Sequence, residues 1–340
     1  MNRRHFLRNS AVLATLAGAG GLPSCVLGQT DRKSRVVLVR NMDMATEKGE
    51  EAINRMLTQM VHESVRALAG KGKSREEAWR QFIRPDDIVG VKINGLSPPM
   101  SSHPAVAFAV GQGAGFCGVK PNNVVVFDKE DRDLTMSGYT VNREGEGIQV
   151  YGTATDGGSA EMPYERQKFR RETAYRLSKI VSRTCTALVN VPVIKDHAWA
   201  GMTCALKNHF GSIDNPNQFH KIDSCGPAIV DVNRDANIRD KQRLIICDAR
   251  AIQYDGGPSF KPQFLQPYYA VLAATDPVAM DVIAMELIEM CRTQQALPKL
   301  MEREYKPIHV AEAAREGLGI CDRAKIEVVV KELGSGAKGS

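Results

Sequence analysis

Short runs of apolar and β-branched residues alternate along the chain with longer segments in which apolar residues recur every three or four positions. The short runs are typical of strands that are buried on both faces, and the periodic segments are typical of amphipathic helices. Strands are predicted at residues 35–40, 88–93, 123–127, 243–247, 270–274 and 325–331, and in the apolar run that begins at residue 187. Helices are predicted at residues 47–68, 165–183, 277–291 and 308–316, and in a segment that begins at residue 104.

This alternation predicts an α/β fold with a largely parallel sheet, doubly wound in three layers with helices on both faces. We find no internal repeat and no clear linker, so residues 34–333 are predicted to form a single domain. Residues 129–163 are polar and rich in glycine, without sustained helical periodicity. They are predicted to form an insertion with a hairpin around Gly145-Glu146-Gly147.

Two of the predicted helices carry residues that favour a helix start. Pro104 suits a first helical turn and follows Ser102 and His103, either of which lies near the cap position. Asp276 is predicted to be the N-cap of a helix that begins at Pro277.

Composition and charge narrow the class of protein. The 340 residues are 43% hydrophobic and 25% charged, which is ordinary for a soluble globular protein with a substantial core. The formal net charge is +6, but residues 1–28 carry three arginines and no acidic residue, so the rest of the chain has an excess of only +3. That excess is too small to indicate nucleic-acid binding. The basic run at 166–183 is interpreted as the solvent face of a helix whose apolar positions are Phe169, Tyr175, Leu177 and Ile180.

The first 28 residues resemble a twin-arginine export signal. Residues 3–8 are R-R-H-F-L-R, and a mildly apolar run at 10–22 follows that is too short to span a bilayer comfortably. Cleavage is predicted after Gly28, whereas Leu22-Pro23-Ser24-Cys25 partly resembles a lipidation motif and leaves an anchor at Cys25 as the alternative. The chain is therefore predicted to be periplasmic or extracytoplasmic, with the twin-arginine translocase as its partner during export. That route carries folded proteins, and this favours a bound ligand.

The eight cysteines do not indicate a metal centre. They stand at 25, 117, 185, 204, 225, 247, 291 and 321, with no C-x-x-C pair and no tight cluster for an iron–sulfur centre or structural zinc. Cys185, Cys247 and Cys291 lie in apolar segments, where a thiol usually acts as a small core hydrophobe. Isolated disulfides are compatible with an oxidising compartment, but the sequence alone does not show which cysteines would pair.

The stretch from 187 to 221 concentrates the candidate chemistry. Its apolar run leads directly into Lys195-Asp196-His197, and alternation along a strand places Lys195 and His197 on one side. Thr203 and Lys207 have the i, i+4 spacing of one helix face, and Asn208 follows. Lys195, His197 and Lys207 are therefore predicted to converge on one anion or one proton-transfer centre.

Polar residues also follow the other predicted strands. Lys92 and Asn94 repeat the alternation of Lys195 and His197, and Asp128, Asp248 and Asp276 follow three further strands. In open parallel sheets the ligand lies beyond the carboxyl ends of the strands, so these side chains are predicted to surround it. Phosphate-loop, dinucleotide-binding and serine-nucleophile motifs are absent: there is no G-x-G-x-x-G after a strand, no G-K-[ST] and no G-x-S-x-G.

The motifs resemble those of the family catalogued as domain of unknown function 362, in the same order over roughly residues 85–320. The matching segments are V-K-I-N at 91–94, N-V-P-V-I-K-D-H at 190–197, A-L-K-N-H-F-G at 205–211, I-C-D-A at 246–249, G-G-P at 256–258, A-T-D-P-V-A-M-D at 274–281 and E-G-L-G at 316–319. The chain departs from the family at Ile93, where relatives usually have proline. It also lacks the ferredoxin-type cysteine motifs that many relatives carry, so no iron–sulfur cluster of its own is expected. The family name implies no established reaction, and the cofactor stays unknown.

Three functions fit these residues. In the first, an exported protein binds an anionic small molecule or cofactor. Lys92, Lys195 and Lys207 neutralise it, Asn94 and Asn208 orient it, and Lys195 and His197 perform acid–base chemistry. In the second, Asp128, Asp248, Asp276 and His103 hold a divalent metal. In the third, the chain is a non-catalytic binding or maturation partner of an exported redox protein. Sequence alone does not decide whether the chain is an enzyme.

Overall fold

The apolar runs form strands in the structure, a computed structural model that describes residues 33–153, 164–168, 174–220 and 223–334. The strands are β1 (Ser34–Asn41), β2 (Val89–Ile93), β3 (Val124–Asp128), β4 (Gln149–Gly152), β5 (Tyr164–Lys168), β6 (Ala174–Ser178), β7 (Ala187–Val191), β8 (Val193–His197), β9 (Gly201–Thr203), β10 (Gln242–Gln253), β11 (Leu265–Ala274) and β12 (Ile326–Leu333). The α-helices are α1 (Glu50–Ala69), α2 (Arg75–Trp79), α3 (Pro104–Phe116), α4 (Asp131–Met136), α5 (Ala205–Asn208), α6 (Gly226–Arg234), α7 (Ala236–Arg239), α8 (Pro277–Gln294) and α9 (Ile308–Arg315). Short 3₁₀ segments are Met42–Ala45, Pro121–Asn123, His209–Ser212, Pro216–Phe219, Asp223–Cys225, Pro262–Phe264, Leu300–Glu302 and Arg323–Lys325, and Ile180–Thr184 is a π-helical turn.

Ten of these strands form one sheet. Its order is β12-β1-β11-β10-β7-β2-β3-β4, with β8 beside β10 beyond the end of β7, and β9 beside β8. These strand pairs are parallel: β10–β7, β7–β2, β2–β3, β3–β4, β12–β1 and β10–β8. β11 runs antiparallel to both of its neighbours, and β9 runs antiparallel to β8. The prediction of a largely parallel sheet is confirmed.

Helices cover both faces of the sheet. Along β1, Val37 and Val39 belong to the core that packs under α1, α2 and α3, whereas Val36 and Leu38 belong to the core that packs under α6, α8 and α9. This alternation follows from the two-residue period of a strand. The three-layer α/β prediction is confirmed, and both faces of the central strands are apolar because both are buried.

The predicted helix starts are also present. His103 precedes α3, and its Nδ1 accepts a hydrogen bond from the backbone N–H of Ala105 at 3.2 Å. Asp276 precedes α8, and its Oδ1 accepts from the N–H groups of Val278 and Ala279, both at 2.9 Å. Each side chain satisfies backbone donors that a helix end leaves unpaired.

The helix predicted at 165–183 was wrong. β5 and β6 form an antiparallel pair there, and the π-helical turn follows. In β6, Tyr175 and Leu177 are buried and Arg176 between them is exposed, which is the period of two of a half-buried strand. Of the four apolar positions used for the prediction, Tyr175 and Leu177 have the spacing of a strand, and only Leu177 and Ile180 have helical spacing, with Ile180 in the π-helical turn. The fourth, Phe169, lies outside the described residues.

The predicted insertion at 129–163 contributes to the sheet. Asn142 and Val150 exchange two backbone hydrogen bonds of 2.8 Å across the Gly145–Gly147 turn, which is the hairpin that was predicted. Beyond it, β4 pairs with β3 in parallel, and α4 precedes the hairpin. Neither of these elements was predicted. Residues 154–163 lie outside the described part.

The predicted signal segment and its cleavage or lipidation sites lie in residues 1–32, outside the described residues. Within the described ranges, no helix combines the length and the apolar character that a membrane crossing requires. Cys185, Cys247 and Cys291 are buried free thiols, as predicted.

Candidate functional site

The segment Lys195-Asp196-His197 ends β8, which is separated from β7 by a single residue. β7 pairs with the first half of β10 and β8 with its second half, so both strands deliver their carboxyl ends to the same region. Side chains alternate along a strand, so Lys195 and His197 share one face and Asp196 occupies the other. Asp196 accepts from the N–H of Gly257 at 2.9 Å and pairs with Arg303. Its carboxylate therefore anchors β8 to two loops.

A chain of buried side-chain amides connects the carboxyl ends of β2, β7 and β8. We call Lys195, Asn94, Asn208 and Asn190 the amide network. Lys195 Nζ donates to Asn94 Oδ1 at 2.9 Å and to the carbonyl of Leu96 at 2.8 Å. Asn94 Nδ2 donates to Asn208 Oδ1 at 3.0 Å, and Asn208 Nδ2 donates to Asn190 Oδ1 at 2.8 Å. The structure thus brings Lys195, Asn94 and Asn208 together through hydrogen bonds.

Lys195 is an ammonium group in an environment that disfavours charge. Only 1% of the residue is exposed, and its hydrogen-bond acceptors are uncharged oxygens. Burial lowers the pKa of Lys195 to about 7, with the charges of Lys207 and Lys92 acting in the same direction and Asp128 opposing them. The side chain is therefore divided between amine and ammonium near neutral pH.

Lys92 and Asp128 form a buried ion pair beside this network. Lys92 Nζ lies 2.6 Å from Asp128 Oδ1 and 2.6 Å from the carbonyl of Ile93, and Asp128 Oδ2 accepts from the N–H of Gly95 at 2.6 Å. Burial lowers the pKa of Lys92, and the attraction of Asp128 opposes that shift. A Cβ at Gly211 would overlap Asp128 Oδ1 and lie 2.6 Å from Lys92 Nζ. Lys92 and Asp128 thus neutralise each other, and the backbone at Gly211 packs directly against the pair.

Lys207 lies in a different setting. It belongs to α5, only 6% of the residue is exposed, and its Nζ lies 4.2 Å from the centroid of the Phe210 ring. Among the described residues its ammonium has no hydrogen bond and no ion pair. Burial lowers the pKa of Lys207 to about 8, and Cys225 opposes that shift. An isolated buried ammonium is costly, which favours a counter-ion at this position.

Two histidines lie next to Lys207. The rings of His197 and His220 have centroids 5.3 Å apart, and the Trp199 ring lies 5.0 Å from that of His220. Burial lowers the pKa of His197 well below its usual range, and burial likewise lowers the pKa of His220 to about 4; Lys207 adds to both shifts. Within the described chain, His220 Nε2 is buried and without a hydrogen-bond partner. We call Lys207, His197, His220, Trp199 and Phe210 the Lys207 cluster.

The short helix that carries Lys207 is held by buried polar groups. Asp281 of α8 accepts from the N–H of Ala205 at 2.6 Å and from that of Leu206 at 3.2 Å. Asn233 Nδ2 donates to the carbonyl of Leu206 at 2.7 Å. Thr203, by contrast, lies in β9 opposite Lys195, so the prediction that it shares a helix face with Lys207 was wrong. The helix begins only after Cys204, because β9 first pairs back onto β8.

The residues proposed as metal ligands have other partners. Asp128 pairs with Lys92, and Asp276 caps α8 and also accepts from the N–H of Ile320 at 2.9 Å. Asp248 accepts from the backbone N–H of His103 at 2.9 Å. In the described part of the chain, no group of three or more His, Cys, Asp or Glu side chains is placed to hold a metal ion. The metal hypothesis therefore has no geometric support among these residues.

Sequence reasoning missed two functional candidates, Asn190 and His220. Asn190 is polar within an apolar strand, which is a usable indication of a buried hydrogen-bonding role. His220 lies at the end of the 187–221 stretch, but only the chain reversal after α5 returns it to His197, and no local pattern indicates that.

The sequence model of the family described as Domain of unknown function (DUF362) matches residues 89–286. Solved structures that are similar include the lactate racemase apoprotein from Thermoanaerobacterium thermosaccharolyticum, with a TM-score of 0.42 and 11% identity over 77% of this chain and 59% of that one. A protein from Thermotoga maritima matches with a TM-score of 0.39 and 12% identity over 73% and 59%. This chain thus spans less than two thirds of the length of either. Among curated proteins no significant match was found.

Proposed function

The chain belongs to the family described as Domain of unknown function (DUF362), and because that description names no reaction, we propose a function from the site alone. The Lys207 cluster binds a small anionic molecule, and the neighbouring imidazoles exchange a proton with it. The observation that carries this proposal is Lys207, which is only 6% exposed and whose ammonium has no anionic or hydrogen-bonding partner among the described residues.

Electrostatics supports an anion rather than a neutral ligand. With a pKa of about 8, Lys207 is mostly protonated at pH 7. A buried ammonium that lacks a partner costs several kcal/mol, roughly, and a carboxylate or phosphate oxygen within hydrogen-bond distance would offset that cost. The aromatic rings of Trp199 and Phe210 supply low-dielectric walls that strengthen the attraction.

The imidazole rings of His197 and His220 are uncharged at neutral pH. Because burial holds the pKa of His197 and His220 below neutrality, both rings are neutral at pH 7 and each has a nitrogen that can accept a proton. His197 Nδ1 accepts the N–H of Trp199 at 3.2 Å, so the neutral ring carries its proton on Nε2, and this N–H can donate to the bound anion. Uptake of a second proton would occur at Nδ1 and would break the hydrogen bond from Trp199. We assign the acid–base role to His197.

The amide network has a supporting role in this proposal. The hydrogen bonds of Lys195 to Asn94 and Leu96 occupy its Nζ, and Asn208 ties the end of α5 to Asn94. Lys195 therefore positions the loop after β2 and adds positive potential in its protonated form, whereas the charge of Lys92 is balanced by Asp128. Lys207 contacts the ligand. Export through the twin-arginine route remains part of the proposal, since a protein that folds before export can carry its ligand with it.

The test is thermal unfolding of the purified mature chain with sodium acetate, malate or phosphate, each compared with sodium chloride at equal ionic strength. At least one of these anions is expected to raise the unfolding temperature of the wild type, because a ligand that binds only the folded state stabilises it. Lys207→Met, which keeps the length and apolar part of the side chain, is expected to lose that increase.

Lys71→Met is the matched control, because Lys71 is an exposed lysine in a turn. It should respond as the wild type does. Equal responses of Lys207→Met and the wild type would refute the anion site. The acid–base role is tested separately, by following the exchange of protons of the bound anion for deuterium with ¹H NMR in D₂O. If His197→Gln exchanges these protons as fast as the wild type, the anion site stands but the acid–base role of His197 is refuted.

A further inference from the structure

A cavity of about 220 Å³ is lined by residues of β8, of β10 and of the loop after β2. Val193, Asp248 and Met100 are its buried lining residues, and Phe260 and Leu265 are half-buried. Val193, two residues before Lys195 in β8, faces the same side of the strand. None of the residues that line this cavity belongs to the Lys207 cluster.

A break in the strand pairing of β10 places the side chain of Arg250 at this cavity. The pairing of β10 with β11 shifts register between Ala249 and Ala251, and its pairing with β8 shifts between Asp248 and Ile252. Bulges of this kind turn a side chain out of the normal alternation. Arg250, at the centre of the irregularity, lines the cavity together with Asp248 and Ala251.

The guanidinium of Arg250 is only partly used. Its Nε lies 3.0 Å from both carboxylate oxygens of Asp248, and its Nη2 donates to the carbonyl of Ser101 at 3.2 Å. Its Nη1 has no hydrogen bond among the described residues, and 28% of the side chain is exposed. A donor held rigidly on two sides and open on the third is suited to one acceptor from a ligand.

The charges around the cavity balance. Asp248 neutralises Arg250, and burial, followed by the charge of Arg250, lowers the pKa of His103, so that this imidazole is neutral at pH 7. A further anion would therefore add an unbalanced charge in a site with mostly apolar walls.

We propose that this cavity binds a small uncharged molecule with an apolar body and one carbonyl or amide oxygen, which accepts from Arg250 Nη1. The volume of 220 Å³ exceeds the roughly 150 Å³ that holds a benzene ring in an apolar protein cavity. A single aromatic ring with one amide group therefore fits. The bound molecule would also contact Met100, whose carbonyl oxygen lies 3.5 Å from Lys195 Nζ. The cavity is therefore adjacent to the amide network.

The experiment titrates the mature full chain with benzamide, with benzoate as its charged isostere, by ligand-observed NMR. For nine non-hydrogen atoms a dissociation constant on the order of 1 mM is expected for benzamide. Arg250→Lys keeps a positive partner for Asp248 but removes the free Nη1, and should weaken benzamide roughly fivefold or more. Ala251→Leu fills the cavity and should abolish binding.

Arg239→Lys is the control, because Arg239 forms an equivalent but exposed ion pair with Asp240; it should bind benzamide as the wild type does. Absence of benzamide binding, tighter binding of benzoate, or the same affinity in Arg250→Lys each overturns the proposal. If Ala251→Leu does not unfold cooperatively, Arg250→Lys decides the outcome alone.

Discussion

Replacing Lys195 by Met should change how the stability of the protein depends on pH. Lys195 has a pKa of about 7 in the folded chain, against 10.5 for an ordinary lysine. Between these values the unfolded chain binds more protons than the folded chain, so the free energy of unfolding rises with pH. The stabilisation is complete above the pKa of the unfolded chain and is lost as the pH falls through the folded pKa.

The magnitude follows from the two pKa values. Each pH unit in which the unfolded state holds one extra proton adds about 1.4 kcal/mol. From pH 7, where folded Lys195 is half protonated, to pH 9, the gain is about 2 kcal/mol. Loss of the hydrogen bonds to Asn94 and Leu96 also costs roughly 1 kcal/mol each. That cost does not depend on pH, so it shifts the curve of the variant without changing its slope.

The assay is urea unfolding at pH 7, 8 and 9, followed by the fluorescence of Trp79 and Trp199. The difference in unfolding free energy, wild type minus Lys195→Met, should increase by about 2 kcal/mol over this range. Lys71→Met, at an exposed lysine, should give a constant difference. Parallel curves for the wild type and Lys195→Met would refute the reasoning, since they would mean that Lys195 does not titrate between pH 7 and 9.

Three further predictions concern other parts of the chain. Anion affinity should fall about tenfold from pH 7 to pH 9, because Lys207 with a pKa of about 8 loses its proton; isothermal titration with acetate measures this, and a constant affinity would exclude Lys207 as the cation. Gly211→Ala should destabilise the protein by about 1–3 kcal/mol, because the new methyl group overlaps Asp128 Oδ1; urea unfolding measures this, and an unchanged midpoint would contradict the close packing. Replacing Arg3 and Arg4 by lysine should keep the precursor inside the cell, because lysine lacks the guanidinium of the paired motif; fractionation and immunoblotting measure this, and normal export would remove the twin-arginine prediction.

Most strands were predicted because their causes are local. β1, β2 and β3 each contain a run of apolar residues that is buried on both faces, so the apolar composition predicts the strand directly. The starts of α3 and α8 were predicted because a cap and a proline act within three residues. The helix predicted at 165–183 was wrong because the strand there depends on the antiparallel pairing of β5 with β6, which the sequence does not show.

The candidate site was predicted in part. Lys195, Asn94 and Asn208 meet because their strands or the following helix end at one edge of a parallel sheet, which follows from the fold class. The pairing of Lys92 with Asp128 was not predicted, because a strand order in which β2 and β3 are neighbours is not visible in a sequence.

The sequence alone therefore determines local features: which apolar runs form strands, which residues cap helices, and which polar residues follow the ends of strands. The tertiary structure alone decides which of these groups are satisfied. Lys195 and Lys207 both lie in the 187–221 stretch, yet Lys195 is surrounded by oxygen acceptors and Lys207 lies against an aromatic ring. The physical reason is that hydrogen-bond partners and burial depend on strand register and chain reversals between residues far apart in sequence, and these set the pKa and the availability of each group.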